Sequence, residues 1–226
     1  MDPDLHADVK RWREWINGPI REDMIGMHHR RFIWRRVTEI ANTNPEVRDK
    51  GSAFWDFLGQ TYAATQAIAI RRQAMDTRRD VSSLALVIKQ MRGNAQALTR
   101  DSYVSLFDEN DELMFQRAHE GFNRLADKSG AHLDPDIPTA DLDALKDAAK
   151  RVGIYANEQI AHAAAEPTVP EMPTYDDLNA AMDALGRICQ KYTVWLTAGW
   201  PATWEPVMQH DWEAIFRVAW LPPKPT

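Results

Sequence analysis

The run Tyr155-Ala156-Asn157-Glu158-Gln159-Ile160-Ala161-His162 holds the residues best suited to chemistry in this 226-residue chain. His162 carries an imidazole, whose ordinary pKa lies near neutrality and lets it take or give a proton at working pH. Asn157 offers a neutral amide that both donates and accepts hydrogen bonds. Glu158 and His162 stand four apart, on one side of an α-helix, but two ligands make a poor metal site. The chain has no Glu-x-x-His pair of the kind that builds di-metal sites in helical bundles. A lone Cys189 excludes both a thiolate zinc centre and an intrachain disulfide framework. No metal or other cofactor is expected.

A second set of candidates is cationic. The net charge is −6, yet residues 1–100 hold 17 Lys and Arg against 12 Asp and Glu, whereas residues 101–226 hold 10 against 21. The basic excess is dense at Lys10, Arg11, Arg13, Arg21, Arg30, Arg31, Arg35 and Arg36, and again at Arg71, Arg72, Arg78 and Arg79. Such patches neutralise phosphates, or else form solvated helix faces that complement the acidic half. Arg72 and Asp76 have the four-residue spacing of an ordinary helix pair.

The elements that must position these groups read as helices throughout. No stretch alternates β-branched and polar residues over a strand's length. Leu5, Val9, Trp12 and Ile16 mark a first helix that Asn17-Gly18-Pro19 stops. Ile20, Met24, Met27, Arg31 and Trp34 share a face of the second, which ends toward Asn44-Pro45. A long third helix after Gly51-Ser52 carries the track Phe54, Leu58, Tyr62, Thr65, Ile68 or Ala69, then Arg72. Leu84, Val87, Ile88 and Met91 mark a fourth, and Leu113, Met114, Ala118, Phe122 and Leu125 a fifth. The sixth, capped at Thr139 and Asp141, runs to His162, and Pro167, Pro170 and Pro173 then impose an extended strap. Thr174 with Asp177 resembles a capping box for the seventh, which carries Leu178, Ala181, Leu185, Ile188, Tyr192 and Trp195. A last helix is expected over Trp204, Trp212, Phe216 and Trp220, with the tryptophans as packing anchors. The expectation is a single all-α domain over 1–226: an antiparallel bundle with a core of about 20–200, extra terminal helices, and a C-terminal helical extension over 201–226. Hydrophobic residues at 44% and charged ones at 27% fit a soluble globular chain. No apolar run approaches the roughly 20 residues of a membrane span, and the acidic start Met1-Asp2-Pro3-Asp4 does not read as a secretory signal. A cytoplasmic protein without membrane contact is expected.

Four stretches, in order, resemble the AbiU-type abortive-infection branch of the HEPN superfamily. They are Ile68-Ala69-Ile70-Arg71-Arg72 with Asp76 and Ser82-Ser83-Leu84; Leu98-Thr99-Arg100; Asn157-Glu158-Gln159-Ile160-Ala161-His162; and Pro173-Thr174-Tyr175-Asp176-Asp177-Leu178. The similarity covers roughly 20–200. It implies a helical, usually dimeric, metal-independent endoribonuclease whose signature is an arginine, an adjoining polar residue and a histidine four to six residues on. Carried onto this chain, the histidine is His162, the polar residue Asn157, and the arginine falls on Ala156. Arg71 and Arg72 become candidates for holding RNA. The resemblance also implies a toxin or phage-defence role with an antitoxin or defence-system partner. Control by a tyrosine two residues past the histidine is not expected, since Ala164 stands there.

RNA is cut when its own 2′-hydroxyl attacks the neighbouring phosphorus. An imidazole can take that proton or protonate the leaving 5′-oxygen, and a guanidinium suits the anionic phosphorane because it donates two parallel hydrogen bonds. A methyl group at 156 does neither, so cleavage by this chain is expected to be very slow or absent. Either an arginine has been replaced in an otherwise active enzyme, or the protein is a degenerate member that binds without cutting. An α-helix would set positions 156 and 162 about 120° apart around its axis, which makes a groove shared by two copies the natural site. The alternative is a non-catalytic helical module that binds RNA or a partner protein.

Overall fold

The computed structural model describes residues 3–105, 107, 110–161, 172–197, 199 and 203–218, with the backbone alone at Lys50. Among them the chain is all-α. Among the described residues nine α-helices pack together about one core, and the extended backbone makes only isolated bridges, Thr99 with His132 and Ala126 with Leu133. No described helix is long and apolar enough to cross a membrane.

Helix α1 (Pro3–Asn17) buries Leu5, Val9, Trp12 and Ile16, the four positions its spacing marks. Pro19 opens α2 (Pro19–Thr43), where its missing N–H costs nothing. Asn44 ends α2 and caps the short α3 (Pro45–Lys50), its Oδ1 accepting from the amides of Glu46 and Val47 at 3.1 and 3.4 Å. Helix α5 (Leu84–Gly93) starts at Ser83, whose hydroxyl accepts from the Leu86 amide at 3.1 Å. It buries all four expected apolar positions. Two further helices are α6 (Arg100–Val104) and α7 (Glu112–Asn123). In α7 Ala118 and Phe122 are buried but Leu113 is exposed.

Helix α4 (Ser52–Met75) is the central element, packed by α2, α5, α8 (Asp136–Tyr155) and α9 (Tyr175–Thr197). Its buried face follows the expected track only in part: Tyr62 and Ala69 are buried and Leu58 is half-buried. Phe54 and Ile68 are exposed, and the helix turns Ala63, Ala67, Ile70 and Ala74 inward with Gln66 and Gln73. Small side chains let neighbouring helices approach closely, and the two glutamines are accommodated because each is hydrogen-bonded. Gln66 Nε2 donates to the Met27 carbonyl at 2.8 Å and its Oε1 accepts from Arg30 Nε at 3.1 Å. Gln73 Oε1 accepts from the Leu84 amide at 2.9 Å, and its Nε2 donates to Asp23 at 2.6 Å.

Helix α8 begins at Asp136, ahead of the expected cap. Asp141 is no cap but a tie to α9, accepting from Tyr192 Oη at 2.8 Å and Lys191 Nζ at 2.7 Å. The capping box before α9 forms as the sequence suggests: Thr174 N and Oγ1 donate to Asp177 Oδ2 at 2.7 and 2.8 Å, and the Asp177 amide donates to Thr174 Oγ1 at 3.1 Å. Pro167 and Pro170 lie outside the described residues; Met172 to Thr174 have no regular structure.

The expected last helix is corrected. Residues 203–211 have no helical structure, and only a 3₁₀ stretch, Trp212–Arg217, follows; Trp220 lies outside the described residues. Pro206 has no N–H to offer a helix, and the strap is held instead by contacts to α2 and α9. Trp204 Nε1 donates to the Gly186 carbonyl at 3.0 Å, Glu205 approaches Arg31 at 3.5 Å, and Glu213 takes Arg36 Nε and Nη2 at 2.6 and 3.1 Å.

Beneath that strap His28 is buried, with Nδ1 3.0 Å from Arg31 Nη2 and Nε2 unpartnered. Burial, then the Arg31 charge, pushes its pKa down from 6.5 to about 4, against the opposing pull of Glu205 and Asp183. The folded imidazole therefore stays neutral while the unfolded one protonates below about pH 6.5, so acid favours unfolding. Stability is expected to fall by about 3 kcal/mol between pH 6.5 and 4 on this account. Urea midpoints against pH check it: His28→Gln should flatten that limb, and an unchanged slope would contradict the assignment.

Candidate nucleic-acid cleft

After Tyr155 the sixth expected helix does not continue as α. Residues Ala156–Ala161 form a π-helical turn, the one such stretch among the described residues. Its i→i+5 bonding widens the turn, so the angular separation expected for an α-helix over 156–162 does not apply. π-helical turns are rare and occur often at functional sites. The turn packs on α4 and ends one residue short of His162, which lies outside the described residues, as does Ala164.

Adjacent residues of this turn point to different environments. Ala156 is 1% exposed and its methyl belongs to the hydrophobic core. Asn157 is half-buried and lines a cleft of about 390 Å³ with Arg71, Met75, Asp76, Thr77, Arg78, Gly153 and Ile154. The end of α4 and the segment after it supply one wall, and the end of α8 with the π-turn supplies the other. Gly153 lies close under Met75, whose side chain would have to shift to admit a Cβ at that position.

Among the described residues the cleft carries two guanidinium groups and one carboxylate. Asp76 accepts from Arg78 Nε and Nη2 at 3.0 and 2.8 Å and from the Arg78 amide at 3.2 Å. These hydrogen bonds, with the Arg78 and Arg71 charges, hold its carboxyl below the usual range, although burial opposes them. Arg71 makes no hydrogen bond or ion pair among the described residues, although its charge acts on Asp76. The arrangement presents a half-buried, uncommitted guanidinium beside a neutral amide, a combination suited to an oxyanion of a phosphodiester.

Of the site residues marked in the sequence, Arg71 and Asn157 are brought together, 86 positions apart in the chain. Arg72 is not with them. It turns to α2 and forms a two-pronged pair with Asp23, Nε to Oδ2 at 2.8 Å and Nη2 to Oδ1 at 2.5 Å. The expected Arg72–Asp76 helix pair is therefore corrected. Asp76 already has extended backbone (φ −80°, ψ 114°), and the four-residue rule holds only inside a helix. Asp76 turns to Arg78 instead, a contact that the sequence signalled only as a local cluster of arginines.

The N-terminal basic cluster is largely engaged within the protein. Arg31 pairs with Asp183 at 2.6 Å, Arg36 with Glu213 and Glu39, and Arg11 with Asp8 at 2.5 Å. Arg13 Nε donates to the Leu196 carbonyl at 2.6 Å and its guanidinium lies over Phe107. Two of these pairs, Arg31–Asp183 and Arg36–Glu213, join the basic half to the acidic half. Among the described residues no three His, Cys, Asp or Glu side chains are grouped to hold a metal ion. No family model matches the chain, and no curated protein or solved structure matches it either.

Proposed function

We propose that this chain is a HEPN-like protein that holds RNA by a phosphodiester at the cleft of Arg71, Arg78 and Asn157. The observation that carries the reading is the meeting of Arg71 and Asn157 in one cleft, beside the π-turn that leads to His162. In this account Arg71 pairs with a non-bridging phosphate oxygen and Asn157 orients the group. His162 is the proton-transfer residue, taking the 2′-hydroxyl proton or delivering one to the departing 5′-oxygen. The protein acts in the cytoplasm as a dimer in a defence or toxin-type system, under the control of a partner.

The burial of Ala156 favours a protein that binds RNA far better than it cuts it. A guanidinium at that position would face the core, not the cleft, so the chain is built around the alanine. Arg71 then supplies electrostatic hold on the phosphate without the second, adjoining arginine that the family signature places beside the polar residue.

A titration of single-stranded RNA tests the reading, followed by fluorescence anisotropy at several salt concentrations and by a search for 2′,3′-cyclic phosphate ends. Saturable binding that weakens with salt, with little or no cyclic phosphate, is expected. Absence of binding at low salt would overturn the proposal, and rapid cleavage would overturn its non-cutting form.

A further inference from the structure

A second cleft, of about 250 Å³, opens between the end of α7 and the last turns of α9. It is separate from the Arg71 cleft. Its Lys191 is tied to Asp141 near the start of α8, whereas the first cleft borders Gly153 to Asn157 at the far end. Twelve to sixteen residues of helix lie between, roughly 18–24 Å at 1.5 Å per residue.

Arg124, Arg187, Lys191 and Gln190 supply its polar lining, and among the described residues no carboxylate lines it. This is notable in the half of the chain where 10 Lys and Arg face 21 Asp and Glu. Arg187 is exposed and makes no ion pair among the described residues. Arg187 and Lys191 are four apart on α9, so they project from the same face, where like charges repel. Lys191 is partly offset by Asp141, but that carboxylate also takes the Tyr192 hydroxyl and stands outside the lining. Trp195 forms part of the apolar wall, fixed by stacking on Tyr103 at 4.3 Å between ring centres. Its indole N–H is buried and has no partner.

We infer that this cleft binds a small phosphate-bearing molecule, a phosphomonoester, through Arg124, Arg187 and Lys191. Guanidinium forks match phosphate oxygens two at a time, and an ammonium adds a point charge. The volume equals the liquid share of about eight waters, enough for a phosphate on a body of a few carbons and below the usual range for larger ligands.

The test uses the intact chain, with inorganic phosphate and ribose 5-phosphate as probes at constant ionic strength. Binding is followed by the indole N–H resonances, with Trp195 assigned through Trp195→Phe. Ribose 5-phosphate should shift the Trp195 signal saturably and at lower concentration than phosphate alone. Arg187→Gln, at an exposed site, should weaken binding at least tenfold, and Arg124→Gln should weaken it too. Arg71→Gln should leave it unchanged, which keeps this site distinct from the RNA cleft. A shift reproduced by sodium chloride, or affinities unaltered by both the Arg187 and Arg124 substitutions, would overturn the inference.

Discussion

Ala156→Arg is expected to destabilise the protein by about 3–5 kcal/mol and not to produce a ribonuclease. Ala156 is 1% exposed within the core, so an arginine there either buries a guanidinium without a partner or forces the π-turn apart. A buried, unpaired charge costs several kcal/mol. For a chain of this length that corresponds to a melting temperature lower by roughly 6–20 °C. Ala156→Gly serves as the control, with a cost near 1 kcal/mol. Calorimetry and RNA cleavage on the same preparations check both statements. A stable Ala156→Arg protein that cuts RNA would show that position 156 belongs to the cleft and would reverse the account of this segment.

Arg71→Gln is the second large effect, on binding and not on folding. Arg71 makes no ion pair among the described residues, so little native structure depends on its charge. RNA affinity should fall by about tenfold or more, and the slope of log affinity against log salt should drop by about 0.7, one phosphate contact on a single strand. Arg78→Gln should cost less, because Arg78 is already held by Asp76. Asp76→Asn should act in the opposite direction, removing a carboxylate from the cleft and raising RNA affinity severalfold. Equal losses for Arg71→Gln and Arg72→Gln would contradict this ordering, since Arg72 is committed to Asp23.

How much the sequence disclosed depended on what periodicity encodes. In α1, α5 and α9 large apolar residues recur at three- and four-residue intervals and the structure buries them. The box at Thr174 and Asp177 was legible because capping is a local hydrogen-bond pattern. Helix α4 misleads for a physical reason. Its inner face mixes alanines and two satisfied glutamines with Tyr62 and Ile70, while Phe54 and Ile68 lie outside, so size and hydrophobicity mark that face only in part. The segment after Trp204 misleads in another way. Its aromatics have helical spacing, but ties to Gly186, Arg31 and Arg36 come from distant elements.

The candidate site was legible in part. Asn157 and Arg71 could be chosen by residue type and resemblance, and the fold places them on facing walls. That Arg72 turns away, that Asp76 has left the helix, and that Ala156 faces the core depend on backbone detail at two helix ends. A π-turn in particular cannot be read from three-four spacing, because it changes the number of residues per turn where the motif begins.

The most direct test of RNA held at the Arg71–Asn157 cleft is photocross-linking of the intact protein to a short RNA bearing 4-thiouridine, mapped by mass spectrometry. The account predicts adducts on the peptides that contain Arg71 to Arg79 and Tyr155 to Ile160, lost with Arg71→Gln. Adducts confined to the N-terminal arginines, or spread evenly over the surface and indifferent to Arg71, would contradict it.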